Sequence, residues 1–116
     1  MSGAITTFLD RAFFSSNRAF RLKLGCAIVS ARRAGTTAAL DQLNKYFMIN
    51  EMPVVSGRYW NMVHGNTPEE VLKDEEGMQN IRVLARNMAY LLKCKEAAKS
   101  IKAPEAVVPT LTNFIR

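Results

Sequence analysis

The sequence predicts an α/β fold with parallel strands, and three observations carry that expectation. Residues 26–29, Cys-Ala-Ile-Val, are a short apolar run bounded by Gly25 and Ser30, the pattern of a strand buried in a parallel sheet. The run opens through a loop holding Ala31, Arg32, Arg33, Ala34 and Gly35 into a helical pattern that starts at Thr36. A strand that leaves through a glycine-bearing loop into a helix is half of a βαβ unit. A second short apolar segment follows Pro53, so the order reads helix, strand, helix, strand, helix, then a tail. In open α/β sheets ligands bind outside the carboxyl ends of the strands, which makes the loop after the first strand the first candidate for function.

Ile5, Phe8, Leu9, Ala12 and Phe13 recur at helical spacing and predict an amphipathic helix over Gly3–Phe14, with Ser2 as its N-cap. Ser15, Ser16 and Asn17 end it, and residues 18–24 form a basic connector with Phe20 and Leu22 as anchors. The first strand is expected over residues 26–30, its apolar run covered on both faces. The second helix is expected over 36–48, with Leu40, Leu43 and Phe47 as its buried stripe and Ala39 and Tyr46 beside it. Proline is tolerated at the first residue of a strand, so Pro53 starts a second strand at 54–56. Residues 57–66, GRYWNMVHGN, read as a loop carrying Tyr59, Trp60 and His64.

Thr67-Pro68-Glu69-Glu70 is a helix start, with Thr67 as N-cap, Pro68 first in the helix and Glu70 as the reciprocal capping partner. One turn there leads into a long helix from about Asp74. Met78, Ile81, Leu84, Ala85, Met88, Leu91 and Leu92 lie on one of its sides. Its acidic start and basic end complement the helix dipole, and Pro104 stops it by about Ala103. The tail over 107–116 includes Val108, Leu111, Phe114 and Ile115, apolar enough to dock on the same molecule or a neighbour. No internal repeat is visible.

At 116 residues the chain is one domain at most, and 48% hydrophobic with 22% charged residues excludes a disordered class. The net charge of +6 is concentrated early: Arg11, Arg18, Arg21, Lys23, Arg32 and Arg33 are opposed only by Asp10 in the first 33 residues. Such a patch attracts phosphate groups or is simply a solvated face. Two cysteines, Cys26 and Cys94, match no zinc or disulfide spacing, and as buried or half-buried thiols they fit a reducing cytoplasm. No apolar run approaches the roughly 20 residues of a membrane span, and the first residues lack the charged start and apolar core of a signal peptide. One histidine and two distant cysteines supply no metal site.

The ordered elements resemble a known family. Ser2-Gly3 followed by the helix ending Phe8-Leu9-Asp10-Arg11, then SARRAGTTAALDQLNKYF, PVVSGRYWNMVHG and TPEEVLKDEEGMQNIRVLARNMAYLLK, look like successive elements of the flavodoxin-like NAD(P)H-dependent FMN reductases. Iron–sulfur flavoproteins and multimeric flavodoxins are close relatives. The resemblance covers roughly residues 1–93 and rests on the series, not on any one motif. It implies the C-terminal portion of a doubly wound parallel sheet of order 2-1-3-4-5, with the first three strands and the FMN phosphate loop missing. On that basis residues 1–103 are expected as a partial flavodoxin-like domain and 104–116 as a C-terminal tail.

The resemblance further implies an FMN-binding oxidoreductase that takes hydride from NADH or NADPH and passes electrons to a quinone, a free flavin or another acceptor. The loops flanking the flavin ring fall on Ser2 and Gly3, and on Ala31, Arg32, Arg33, Ala34, Gly35 and Thr36. Backbone N–H groups and arginines there stabilise negative charge on the reduced ring. Arg33 suits the phosphate of NADPH. The bland reading of the same residues is an ordinary solvent-facing turn. Trp60 and His64 fit a place over a flavin or at a subunit contact, although a lone histidine is more often structural. The expected partners are flavin and nicotinamide nucleotide and a second copy of the chain, associated by strand pairing or helix packing. The rival class is a basic interaction module without enzymatic activity, binding acidic partners.

Overall fold

The computed structural model describes residues 1–16 and 18–112. The sequence expectations for Asn17, Phe114 and Ile115 lie outside the described residues.

Helix α1 spans Gly3–Phe14, as its spacing requires. Ser2 occupies the N-cap in extended backbone without a side-chain capping bond, and the Thr6 hydroxyl instead donates to the Gly3 carbonyl at 2.9 Å. No α1 residue is buried, so packing holds it only along its inner edge. Phe13 is the anchor: its ring stacks on Phe20 at 4.7 Å and meets Tyr46 at 5.8 Å and Phe47 at 6.1 Å. These four rings join α1, the basic connector and α2 (Thr36–Ile49). The Tyr46 hydroxyl donates to the Asp10 carboxylate at 2.6 Å, and this bond, then desolvation and the Asp10 charge, raises the phenol above its ordinary pKa. In α2, Ala39 and Leu40 are buried, with Leu43, Tyr46 and Phe47 half-buried, so the expected stripe is the inner face.

Strands β1 (Val29–Ala31) and β2 (Met62–His64) pair in parallel, Val29 opposite Met62, Ser30 opposite Val63 and Ala31 opposite His64. With α2 as the crossover they form a βαβ unit, and α4 (Glu75–Ala97) packs on β2. The core is Ala27, Ala39, Leu40, Val55, Val63 and Leu84. The chain is therefore α/β with a small parallel sheet.

Both strand expectations need correction. The ladder lies at Val29–Ala31, shifted from the expected 26–30, and Gly25 contributes a separate parallel bridge to Val54. The expected strand at 54–56 holds only that bridge, and β2 lies in the segment expected to be a loop. The cause is a mismatch of length. The two chains run side by side, but from Gly25↔Val54 to Val29↔Met62 one advances four residues and the other eight. The surplus is extruded as a side loop, and pairing resumes beyond it. Coverage on both faces is also corrected: Ala27 is 7% exposed while Ile28 is 50% exposed.

Thr67 caps α3 (Pro68–Val71) by accepting the Glu70 N–H at 3.3 Å. The Glu70 carboxylate reaches one residue further back than a capping box requires, accepting the Asn66 N–H at 2.7 Å. In α4, Gly77, Asn80 and Leu84 are buried, with Met78, Ile81 and Met88 partly covered, whereas Ala85, Leu91 and Leu92 are exposed. The helix outruns the sheet it packs on and ends at Ala97, short of the expected 103, in a turn closed by the Ala98 N–H on the Cys94 carbonyl. Cys26 is half-buried as expected, but Cys94 is exposed on this uncovered portion.

Beyond the turn, the Arg21 guanidinium donates to the Pro104 and Glu105 carbonyls, and Arg18 donates to that of Val107 at 2.7 Å. The tail backbone thus lies against the basic connector while Val107, Val108 and Leu111 stay exposed. Among the described residues no helix is long and apolar enough to cross a membrane.

Candidate functional site at the carboxyl ends of the strands

The parallel register brings the ends of β1 and β2 to one edge, where the Gly65 N–H donates to the Ala31 carbonyl at 3.1 Å. The turn after β1 stands at this edge. Ala31 is half-buried and Thr36 buried, while Arg32, Arg33, Ala34 and Gly35 between them are exposed. Gly35 is the N-cap of α2 with φ 84°, a left-handed conformation that a side chain would strain. It offers no capping side chain, and the first turn of α2 has no acidic residue. The first N–H groups of α2 therefore have neither a side-chain cap nor an acidic neighbour in that turn. Together with the helix dipole and the charges of Arg32 and Arg33, they make an edge that favours an anionic or electron-rich ligand. The structure places Ala31, Arg32, Arg33, Ala34, Gly35 and Thr36 in this one turn. Ser2 and Gly3 open α1, which packs against α2.

At the same edge the fold makes a pairing that the linear sequence hid, between His64 and Asp74. His64 ends β2 opposite Ala31, and Asp74 caps α4 beside it. Asp74 Oδ1 accepts the Gly77 N–H at 2.9 Å and Oδ2 accepts the His64 backbone N–H at 2.7 Å. The same Oδ2 lies 3.7 Å from His64 Nδ1. The Gly77 bond, then the His64 N–H and the imidazole charge, lower the Asp74 pKa. A carboxylate with a lowered folded pKa adds stability fully present above its unfolded value, about 3.9, and lost as pH falls through the folded value. Wild-type stability, read from urea midpoints, is accordingly expected to fall further between pH 5 and pH 2.5 than that of Asp74→Asn. The amide keeps one of the two acceptors, for Gly77 N–H at the cap, gives up the one for His64 N–H at every pH, and has no charge to lose.

The extruded loop stands over this pair. Asn80 Oδ1 accepts the Tyr59 N–H at 2.8 Å, and Asn80 Nδ2 donates to the Trp60 carbonyl at 2.8 Å and the Tyr59 carbonyl at 3.2 Å. From the other side Asn61 Oδ1 accepts the Gly57 N–H at 3.1 Å. So held, the loop presents Tyr59 and Trp60 half-exposed, ring centroids 4.3 Å apart. A cavity of about 90 Å³ is left between Trp60, Met62, His64, Asp74, Glu76 and Asn80. The helical spacing of Gly77, Asn80 and Leu84 was the one sequence sign that α4 turns a polar residue inward.

A βαβ unit with an electropositive turn at its strand ends is the arrangement of nucleotide-binding α/β proteins. The family model for NADPH-dependent FMN reductase matches residues 1–67, from the start of α1 through β2 to the cap of α3. The chain belongs to the NADPH-dependent FMN reductase family. No curated protein and no solved structure matches it.

Proposed function

We propose that the chain is an NAD(P)H-dependent FMN oxidoreductase whose flavin-binding turn is Ala31, Arg32, Arg33, Ala34, Gly35 and Thr36, with Ser2 and Gly3 on a second flanking loop. The sheet is read as the inner part of a flavodoxin-like doubly wound sheet. The observation that carries this is the uncapped, arginine-flanked N-terminus of α2 at the carboxyl end of β1, in a chain of this family. These groups fit a flavin, because exposed N–H donors and guanidinium groups suit a ring that gains negative charge on reduction. FMN, when bound, accepts hydride from NADH or NADPH and passes electrons to a second substrate. The protein's part is to bind and orient. Backbone N–H groups of the turn and Arg32 hold the electron-rich edge, Gly35 leaves room for close approach, and Arg33 is placed to meet a nicotinamide nucleotide's phosphate.

The purified protein is expected to quench FMN fluorescence on titration, and the Arg32→Ala/Arg33→Ala variant to bind FMN at least tenfold more weakly with its thermal midpoint unchanged. Absence of quenching overturns the reading. Affinity for nucleic acid that falls steeply with salt, without flavin binding, marks the basic interaction module instead. The reading includes self-association, and a single monomeric boundary in sedimentation at micromolar concentration removes that element.

A further inference from the structure

We propose that His64 is the proton donor to a quinone-type acceptor and that Asp74 is its positioning residue. The proposal rests on the flavin reading above and extends it to the second half-reaction. His64 is the last residue of β2, paired in register with Ala31, and so stands one strand spacing (about 4.8 Å) from the start of the flavin turn. Hydride leaving a flavin at that turn and a proton leaving His64 would reach an acceptor seated at one edge.

Asp74 is the reason the imidazole suits the task. Its carboxylate is fixed by backbone N–H groups on both oxygens, which hold Oδ2 3.7 Å from Nδ1. With that carboxylate facing Nδ1, Nε2–H is left as the transferable proton, and Asp74 acts on the reaction only through the imidazole. The His64 side chain is 39% exposed, so it can reload from water, while that of Asp74 is 20% exposed. Trp60, half-exposed at the same cavity, offers a face for a planar ring. The charged groups that line the cavity with His64 are Asp74, the N-cap of α4, and Glu76 in its first turn; Arg32 follows Ala31, the register partner of His64. The α2 crossover packs on both strands and brings Thr36, not a charge, to its first position.

The step balances as follows. A quinone gains two electrons and one hydrogen nucleus as hydride from the reduced flavin, leaving one oxygen anionic. The His64 Nε2–H bond breaks, an O–H bond forms on that oxygen, and the neutral imidazole regains a proton from water. The oxidised flavin is reduced again by NADH or NADPH.

The test uses FMN-loaded protein, a benzoquinone as two-electron acceptor and ferricyanide, which takes electrons without a proton. His64→Gln is expected to lower quinone turnover at least tenfold while ferricyanide turnover and FMN affinity stay within twofold. Asp74→Asn is expected to lower quinone turnover less, again sparing ferricyanide. As a readout apart from activity, His64 is the only histidine of the chain, so its ring resonances are assignable without variants. They are expected to shift when the quinone is added to the FMN-loaded protein. Failure of FMN to bind overturns the flavin reading and this one together. If FMN binds, equal loss with both acceptors, no loss with quinone, or unmoved His64 resonances overturns this proposal alone.

Discussion

Replacing Asn80 with alanine is expected to destabilise the protein by about 3 kcal/mol, at roughly 1 kcal/mol for each of three hydrogen bonds. Asn80 is 5% exposed on the inner face of α4, and every one of those bonds goes to the backbone of Tyr59 or Trp60. Truncation leaves the Tyr59 N–H without its acceptor beside a buried surface and frees the loop. Two measurements check the expectation: the urea midpoint, and the emission of Trp60, the only tryptophan of the chain. Asn80→Asp keeps the acceptor for Tyr59 but turns a carboxylate toward two carbonyls, so it should cost no less. A loss under 1 kcal/mol with unchanged Trp60 emission would show that the loop is held by something else.

Gly65→Ala is expected to cost about 2–3 kcal/mol, the range for forcing extra volume into a packed site. Gly65 follows His64 directly, and a Cβ there would meet the Val71 backbone nitrogen at 2.5 Å and the Glu70 carbonyl carbon at 2.9 Å. These are main-chain atoms of α3, not the yielding end of a side chain. Either α3 lifts or the end of β2 shifts, and both displace His64. The variant should therefore show a lowered urea midpoint together with moved His64 ring resonances. Gly35→Ala is the contrast: open space surrounds that Cβ, so the cost there is confined to backbone strain at positive φ.

Helices were the legible part of this chain. Ile5, Leu9 and Phe13, or Leu40, Leu43 and Phe47, repeat at a spacing that sets them on one face of a helix, and α1 and α2 begin where that spacing places them. The Thr67-Pro68 start was legible because capping is a contact between near neighbours. The charged turn was legible for the same reason: Arg32, Arg33 and Gly35 lie within four residues of one another. The strands were harder. Residues 26–29 looked like a strand and lie beside one, but which residues pair depends on the partner's length, and the partner carries a side loop fastened from α4.

The sequence by itself determined the α/β class, the starts of the helices, the Thr67 cap and the charged turn, because each depends on residues within a turn or two of one another. Only the tertiary structure decided the register of β1 and β2, the inward Asn80 and the meeting of His64 with Asp74. Those depend on segments distant along the chain closing against each other, and a side loop of uneven length moves the pairing without leaving a local mark.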